Sequence, residues 1–379
     1  MNQDLALKVL SQIMSWDDER ARKEFSWLKL MARLKYDGYR DFQAGMRFTE
    51  SLATWLQQFS QSERETAYDF VRNSLVYVGP SEMQRLVEQF YPRIVRDRLE
   101  CIVSTNLNTP KFTLFNSDKA RAEIDRLKRQ TLFMGLSDGA RIDGIRHANV
   151  GLLKNEQFVL QTQLDKDKWL DLLQKLREDL NDDKALFKLV YLIDDFAGTG
   201  TSFIRYNEKK LKWTGKLCRF KDSIESASSA LGSLPFDPSW ELCIHHYIGS
   251  ASAKDAIHER ELASRVAIGG DGWAKKVHIS FGSVLPKNLP INEQADRYKE
   301  FIDLTNTYYD PVIRTEHTDV GGAPHLGLGY GGCALPLILN HNTPNNSIAL
   351  LWAETDGNEQ TATPAPAMRP LFRRRQRHT

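Results

Sequence analysis

The sequence predicts an α/β protein, a parallel sheet flanked by helices, with an α-helical N-terminal region. Three observations carry that expectation. From about residue 100, β-prone runs alternate with helical ones, as in TLFMGL (131–136), DKWLDLLQKLREDL (167–180) and LFKLVYLI (186–193). A strand, a helix and a second strand in that order read as a parallel crossover. The run Leu189 to Ile193 is apolar or aromatic throughout, without alternation, the pattern of a strand covered on both faces. Before residue 100, apolar side chains recur at helical spacing instead: Leu52, Trp55, Leu56 and Phe59, then Tyr68, Val71 and Leu75.

Taken in order, residues 1–100 are expected to form a helical bundle or cap with its Trp and Tyr side chains in the core. Gly79-Pro80 breaks it, and Ser81, with Glu82 beside it, restarts a helix through Met83, Leu86, Val87 and Phe90. CIVST (101–105) is the first strand candidate, and WELCIHHYIG (240–249), KVHISFGSVL (276–285) and ALPLILNH (334–341) are later ones. The glycine-dense GLGYGG reads as a loop entering the last strand. Adjacent His245 and His246 on a strand point to opposite faces, so one is expected in the core and the other in solvent, and they make no joint metal site. The expected division is 1–100 helical, 101–355 α/β, and 356–379 a flexible basic tail.

Composition bounds the function without naming it. The 379 residues are 41% hydrophobic and 26% charged, with 51 Lys and Arg against 49 Asp and Glu, so no global basic field points to nucleic acid. Any such contact must be local. The candidate is MRPLFRRRQRHT, where Arg369, Arg373, Arg374, Arg375 and Arg377 follow TATPAPA; a disordered solubilising end and a nucleic-acid or partner contact both fit it. Cys101, Cys218, Cys243 and Cys333 form no CxxC pair, which argues against a disulfide framework or a zinc site. The start, MNQDLALKVLSQIM, lacks the form of a signal peptide, and no run of about eighteen apolar residues occurs. A cytoplasmic protein is expected.

The chemistry is concentrated in LIDDFAGTGTSFIR. The buried strand ends in Asp194 and Asp195, and the carboxyl end of a strand in an open α/β sheet is where ligands bind. Gly198 and Gly200 permit backbone torsions that let successive amides converge on an anion, Thr199, Thr201 and Ser202 add hydroxyls, and FIRYNEKK is expected to begin a helix whose N-terminus favours phosphate. Two carboxylates repel a phosphate, so they address something else on the same ligand: sugar hydroxyls, a bound Mg²⁺, or both. A phosphate at one end and a diol in the middle describe a ribose 5-phosphate.

That run, Ile193 to Ser202, resembles the phosphoribosyl-pyrophosphate (PRPP) motif of type I phosphoribosyltransferases: a hydrophobic strand, two acidic residues, then a Thr/Ser-Gly phosphate loop. The resemblance implies a type I phosphoribosyltransferase-like sheet. It also implies that Asp194 and Asp195 hold the ribose 2- and 3-hydroxyls, and that residues Ala197, Gly198, Thr199, Gly200, Thr201 and Ser202 hold the 5-phosphate. In that family pyrophosphate leaves C1 through an oxocarbenium-like transition state stabilised by nearby carboxylates, with Mg²⁺ carrying the leaving group.

A second loop is needed for the pyrophosphate, and TLFMGLSDGARIDGIRHAN supplies one at the right distance. Ser137, the Gly139 backbone and Arg141 would face a diphosphate, while Asp138 or Asp143 would hold a metal or support Arg141; a strand-to-helix turn capped by Asp138 explains the same letters. The common enzymes often carry a Lys or Arg beside small residues at this point, and this loop departs from them. In HNTPNNS, Asn342, Asn345 and Asn346, with Trp352 beyond, are candidates for reading and stacking a base or acceptor, and Asx-turn chemistry is the alternative. SDGARIDGIRHAN, LKNEQ, LIDDFAGTGTSFIR and LNHNTPNNSIALLW together look like a narrower group, over roughly residues 130 to 355: phosphoribosyltransferase-like proteins associated with bacterial conflict and anti-phage systems. The resemblance implies an effector acting on PRPP or a nucleotide, with a reverse transcriptase or ATPase of a defence operon as partner; a catalytically silent sensor or scaffold subunit is the alternative.

Overall fold

The computed structural model describes residues 3–270, 272–291, 296–357 and 365–374. Among them are nine strands: β1 (Val76–Val78), β2 (Thr131–Gly135), β3 (Phe158–Val159), β4 (Phe187–Ala197), β5 (Arg205–Asn207), β6 (Lys212–Thr214), β7 (Phe236–Gly249), β8 (Lys276–Val284) and β9 (Leu337–Leu339). The chain divides into two units, one of residues Met1–Glu82 with Lys287–Thr379, the other Met83–Pro286.

The Met83–Pro286 unit holds the main sheet, ordered β3-β2-β4-β7-β8 with every neighbouring pair parallel. Its earliest strand in the chain, β2, lies between β3 and β4. The chain passes from β2 to β3 on one side and then crosses to β4 on the other, so the topological switch point, where a ligand crevice is expected in such sheets, lies at the carboxyl ends of β2 and β4. Leu132, Met134, Val190, Leu192, Leu242 and Ile244 face a core shared with the helices Lys166–Leu180, Lys216–Leu231 and Ala251–Ile268. On the opposite face the rings of Phe90 and Phe133 lie 5.4 and 5.6 Å from that of Tyr191. Leu189 through Ile193 are at most 1% exposed. Burial of each such side chain stabilises by about 1.5–3 kcal/mol, which is why an unbroken apolar run settles in the middle of the sheet.

The Met1–Glu82 and Lys287–Thr379 unit is mostly helical, as its periodicity predicts, and Leu52, Trp55, Leu56, Phe59, Tyr68 and Val71 lie in its core. Several expectations need correction. CIVST is inside the helix Arg96–Leu107, which follows Pro80–Gln89 through a π-turn at Phe90–Val95; Leu99 and Val103, four apart, are its buried positions, and left-handed Asn108 ends it. The boundary expected near residue 100 lies at residue 82, and the α/β part stops at residue 286. ALPLILNH contributes only β9, which pairs with β1 outside the main sheet.

The tail expected to be flexible from residue 356 is anchored where it is apolar. Met368, Leu371 and Phe372 are at most 1% exposed in the core of their unit. The Ser51 hydroxyl donates to the Leu371 carbonyl at 2.6 Å, and the Phe372 amide donates to the Leu351 carbonyl at 2.8 Å. Arg375 and Arg377 lie outside the described residues. Among the described residues no helix is long and apolar enough to cross a membrane.

Candidate functional site

β2 and β4 run level, with Gly135 beside Ile193, and the Leu136 amide donates to the Ile193 carbonyl at 2.8 Å. The loop after β2 therefore meets the acidic doublet at the end of β4. The Ser137 hydroxyl donates to Oδ1 of Asp194, and Lys216, the first residue of the helix Lys216–Leu231, places Nζ on Oδ2. Asp194 is 2% exposed. Burial pushes its carboxyl above the ordinary range, while the Lys216 ammonium pulls it back and Asp195 adds repulsion.

Alternation along the strand turns Asp195 the other way, onto the backbone of Gly139. A Cβ at Gly139 would stand 2.2 Å from Asp195 Oδ2, so only glycine lets the first loop lie against this carboxylate. Tyr247 lies on this side, its hydroxyl donating to the Ala140 carbonyl at 3.0 Å. Burial pushes its phenol well up, and both Arg141 and Asp195 act on it electrostatically. Arg141 is held at φ +50°, a left-handed conformation uncommon outside glycine. Ser137 and Gly139 thus lie against Asp194 and Asp195, with Arg141 two residues further along the same loop.

The phosphate loop is organised through its carbonyls. The Ser250 amide donates to Ala197 O at 2.9 Å, and the Ser250 hydroxyl donates to Gly198 O at 2.6 Å. Arg260 donates to Thr199 O and Arg205 to Thr201 O, each at 3.0 Å. Gly200 O accepts from the Phe203 and Ile204 amides, and Ser202 O from the Lys216 amide at 3.1 Å. Each carbonyl from Ala197 to Ser202 is therefore bound to a donor within the protein, the orientation an anion-binding nest of amides requires. Gly200 has φ +71°, and a Cβ there would stand 2.6 Å from Ile257 Cγ1. The hydroxyls of Thr199 and Thr201 lie 2.6 Å apart.

The helix expected at FIRYNEKK does not form. Arg205–Asn207 and Lys212–Thr214 make an antiparallel hairpin in which Tyr206 pairs with Trp213, their rings 5.5 Å apart. Aromatic cross-strand pairing outweighs helical propensity in so short a segment. The helix begins only after the hairpin, and that delay is what delivers Lys216 to Asp194.

Asp138 is exposed and Asp143 pairs with Arg146 at 3.0 Å; neither caps the following helix, whose N-cap is Arg141. His245 and His246 are both buried, on opposite faces, rather than one solvated. His245 Nδ1 meets Ser280 Oγ at 2.9 Å, His246 is stacked on Phe281, and burial pushes both imidazoles down to about 3.

Asn342, Asn345, Asn346 and Trp352 belong to the Met1–Glu82 and Lys287–Thr379 unit. There Asn346 Nδ2 donates to Tyr330 O at 3.2 Å, Asn345 O accepts from the Tyr330 amide at 2.6 Å, and Asn342 closes a turn with Leu339. Trp352 Nε1 donates to Ser347 O at 2.8 Å, and the Arg374 guanidinium covers its ring at 5.4 Å.

Lys216, Tyr247, Ser250 and Arg260 were not singled out from sequence. Of these, Ser250 had a local signal, a serine between a strand and a helical run, where its hydroxyl now accepts from the Ala253 amide at 2.9 Å. Among the described residues no group of three or more His, Cys, Asp or Glu is placed to hold a metal, and Asp194 carries the Lys216 ammonium. A cavity of about 330 Å³ lined by Phe220, Leu234, Trp240 and Trp273 lies at the amino ends of β7 and β8 and contains no residue of either loop. The crevice is the better candidate because charged and hydroxyl groups from separate strands converge there.

Comparison with curated proteins and with solved structures finds no match. The model of the family PRTase-CE matches residues 52–374, a span that takes in both loops and the doublet. The chain belongs to the PRTase-CE family of phosphoribosyltransferase-like proteins.

Proposed function

We propose that the crevice at β2 and β4 binds PRPP or a nucleotide and acts at ribose C1, and that the protein is an effector in a bacterial anti-phage system. One observation carries the binding claim: the inward-held carbonyls of Ala197 to Ser202 sit a few residues from the carboxylates of Asp194 and Asp195. The amide side of the loop takes the 5-phosphate and the carboxylates accept the ribose hydroxyls. Arg141 and the Gly139 backbone face the diphosphate. The C1–O bond breaks with its electron pair leaving on pyrophosphate, an acceptor bonds to C1, and the two carboxylates stabilise the positive charge developing on the ring. Mg²⁺ arrives as the complex of the diphosphate, whose oxygens are its natural ligands.

The test is to incubate the protein with PRPP or nucleotides and Mg²⁺ and separate the products by chromatography. Turnover is expected in the wild type and not in Asp194→Asn/Asp195→Asn; identical traces refute enzymatic action. The closed Asp194–Lys216 pair and the exposed Asp138 favour one other reading, a catalytically silent nucleotide sensor or scaffold in a defence complex. Calorimetric binding without turnover would select it. A reverse transcriptase or ATPase is the proposed partner, the cytoplasm the proposed location. Nucleic-acid contact through the basic tail is abandoned if replacing Arg369, Arg373, Arg374, Arg375 and Arg377 by Gln leaves DNA and RNA retention on a gel unchanged.

A further inference from the structure

We propose that Lys216 is the built-in cation of the acidic doublet, standing beside Asp194 where a resident divalent ion would have to bind, so that the doublet receives sugar hydroxyls and holds no metal of its own. The inference rests on the ribose-binding reading of the crevice and adds a residue to it.

Both oxygens of Asp194 are engaged within the protein. Oδ1 accepts from the Ser137 hydroxyl and from the Asp195 amide at 3.2 Å, and Oδ2 accepts from Lys216 Nζ. A magnesium ion needs carboxylate oxygen at about 2.0–2.1 Å in near-octahedral geometry, and a carboxylate that is 2% exposed and closed by an ammonium cannot supply it without breaking that pair. Hydroxyls make no such demand: Oδ1 already accepts two hydrogen bonds, but Oδ2 accepts only from Lys216 and carries a second lone pair that can accept one more.

Charge points the same way. Asp194 is paired with Lys216, and Arg141 and Asp195 both act on Tyr247 from the other side, so each carboxylate of the doublet has a cation in its surroundings without an added ion. His246, the cross-strand neighbour of Asp194, is enclosed by Phe203 and Phe281.

The position of Lys216 is built rather than incidental. Its side chain is 19% exposed, its amide is bound to the Ser202 carbonyl at 3.1 Å, and the hairpin Arg205–Thr214 sets where its helix starts. The residue that neutralises the doublet therefore also terminates the phosphate loop. Lys216 is a positioning residue: it fixes the charge and orientation of Asp194, and through its amide the end of the loop.

The test uses Mn²⁺ as the probe, followed by electron paramagnetic resonance on the full chain without PRPP. Wild type and Lys216→Arg are expected to bind no Mn²⁺ that depends on the doublet. Lys216→Met, with its thermal melt retained, is expected to tighten Mn²⁺ binding about tenfold or more, and adding Asp194→Asn/Asp195→Asn should abolish that gain. Doublet-dependent Mn²⁺ binding in the wild type overturns the proposal, as does a folded Lys216→Met that gains none. Should Lys216→Met fail to fold, wild type against Asp194→Asn/Asp195→Asn still decides. Calorimetry with PRPP alone is read separately: absence of binding would sink the ribose reading while leaving the metal result intact.

Discussion

Gly139→Ala is the sharpest probe of whether the first loop and the doublet form one site. The added Cβ would lie 2.2 Å from Asp195 Oδ2, 2.4 Å from its Cγ and 3.0 Å from its Cβ. Ordinary contact is closer to 3.5 Å, so the carboxylate must swing away or the loop must lift by about 1 Å. Overpacking of this kind costs about 1–3 kcal/mol, and much of it is relieved if the half-buried Asp195 changes rotamer. Relief comes at the expense of ligand binding. A hydrogen bond to a charged group is worth about 1.5–3 kcal/mol, so PRPP affinity should fall about 10- to 150-fold while the protein stays folded. Calorimetry with PRPP and a denaturant melt on the same sample measure both quantities. In an Asp195→Ala background the glycine substitution should cost far less affinity, since its effect acts through that side chain. Wild-type affinity in Gly139→Ala, or equal losses in the two backgrounds, would refute the reasoning.

Two further outcomes follow from burial. Truncation after residue 364 removes Met368, Leu371 and Phe372, each fully or almost fully buried, at about 1.5–3 kcal/mol per side chain; a melt unaltered by this truncation contradicts the anchored tail. Acid should destabilise the sheet unit early, because His245 and His246 have folded-state values near 3 against an ordinary 6.5 and the folded state therefore binds fewer protons. Their contribution is complete above pH 6.5 and is lost as pH falls towards 3, about 2 kcal/mol per ring at pH 5. Urea midpoints that stay flat between pH 7 and 5 would contradict it.

The crevice was legible because its signals are local. An unbroken apolar run, an acidic pair and a Gly-Thr-Gly-Thr stretch each report on backbone conformation and burial within about ten residues, and β4 and the loop after it obey all three. The β2 loop was legible at its glycine and serine, yet the roles of Asp138 and Asp143 were not, because neither residue type nor spacing reveals which carboxylate a turn aims outward. CIVST misread as a strand for a related reason: β-branched residues favour a strand in isolation, while Leu99 and Val103 lie on one buried helical face. FIRYNEKK failed where a pairing partner seven residues away decides the conformation, Trp213 opposite Tyr206.

By itself the sequence determined the parallel α/β sheet, the strand that ends in the doublet and the glycine loop that follows, since hydrophobic burial and backbone sterics act residue by residue along the chain. Tertiary structure alone decided that Lys216 pairs with Asp194, that Ser250 and Arg260 hold the loop's carbonyls, and that Asn346 donates to the Tyr330 carbonyl. Those choices depend on which side chains reach one another across strands after the sheet has formed, and a distance through space has no counterpart in spacing along the chain.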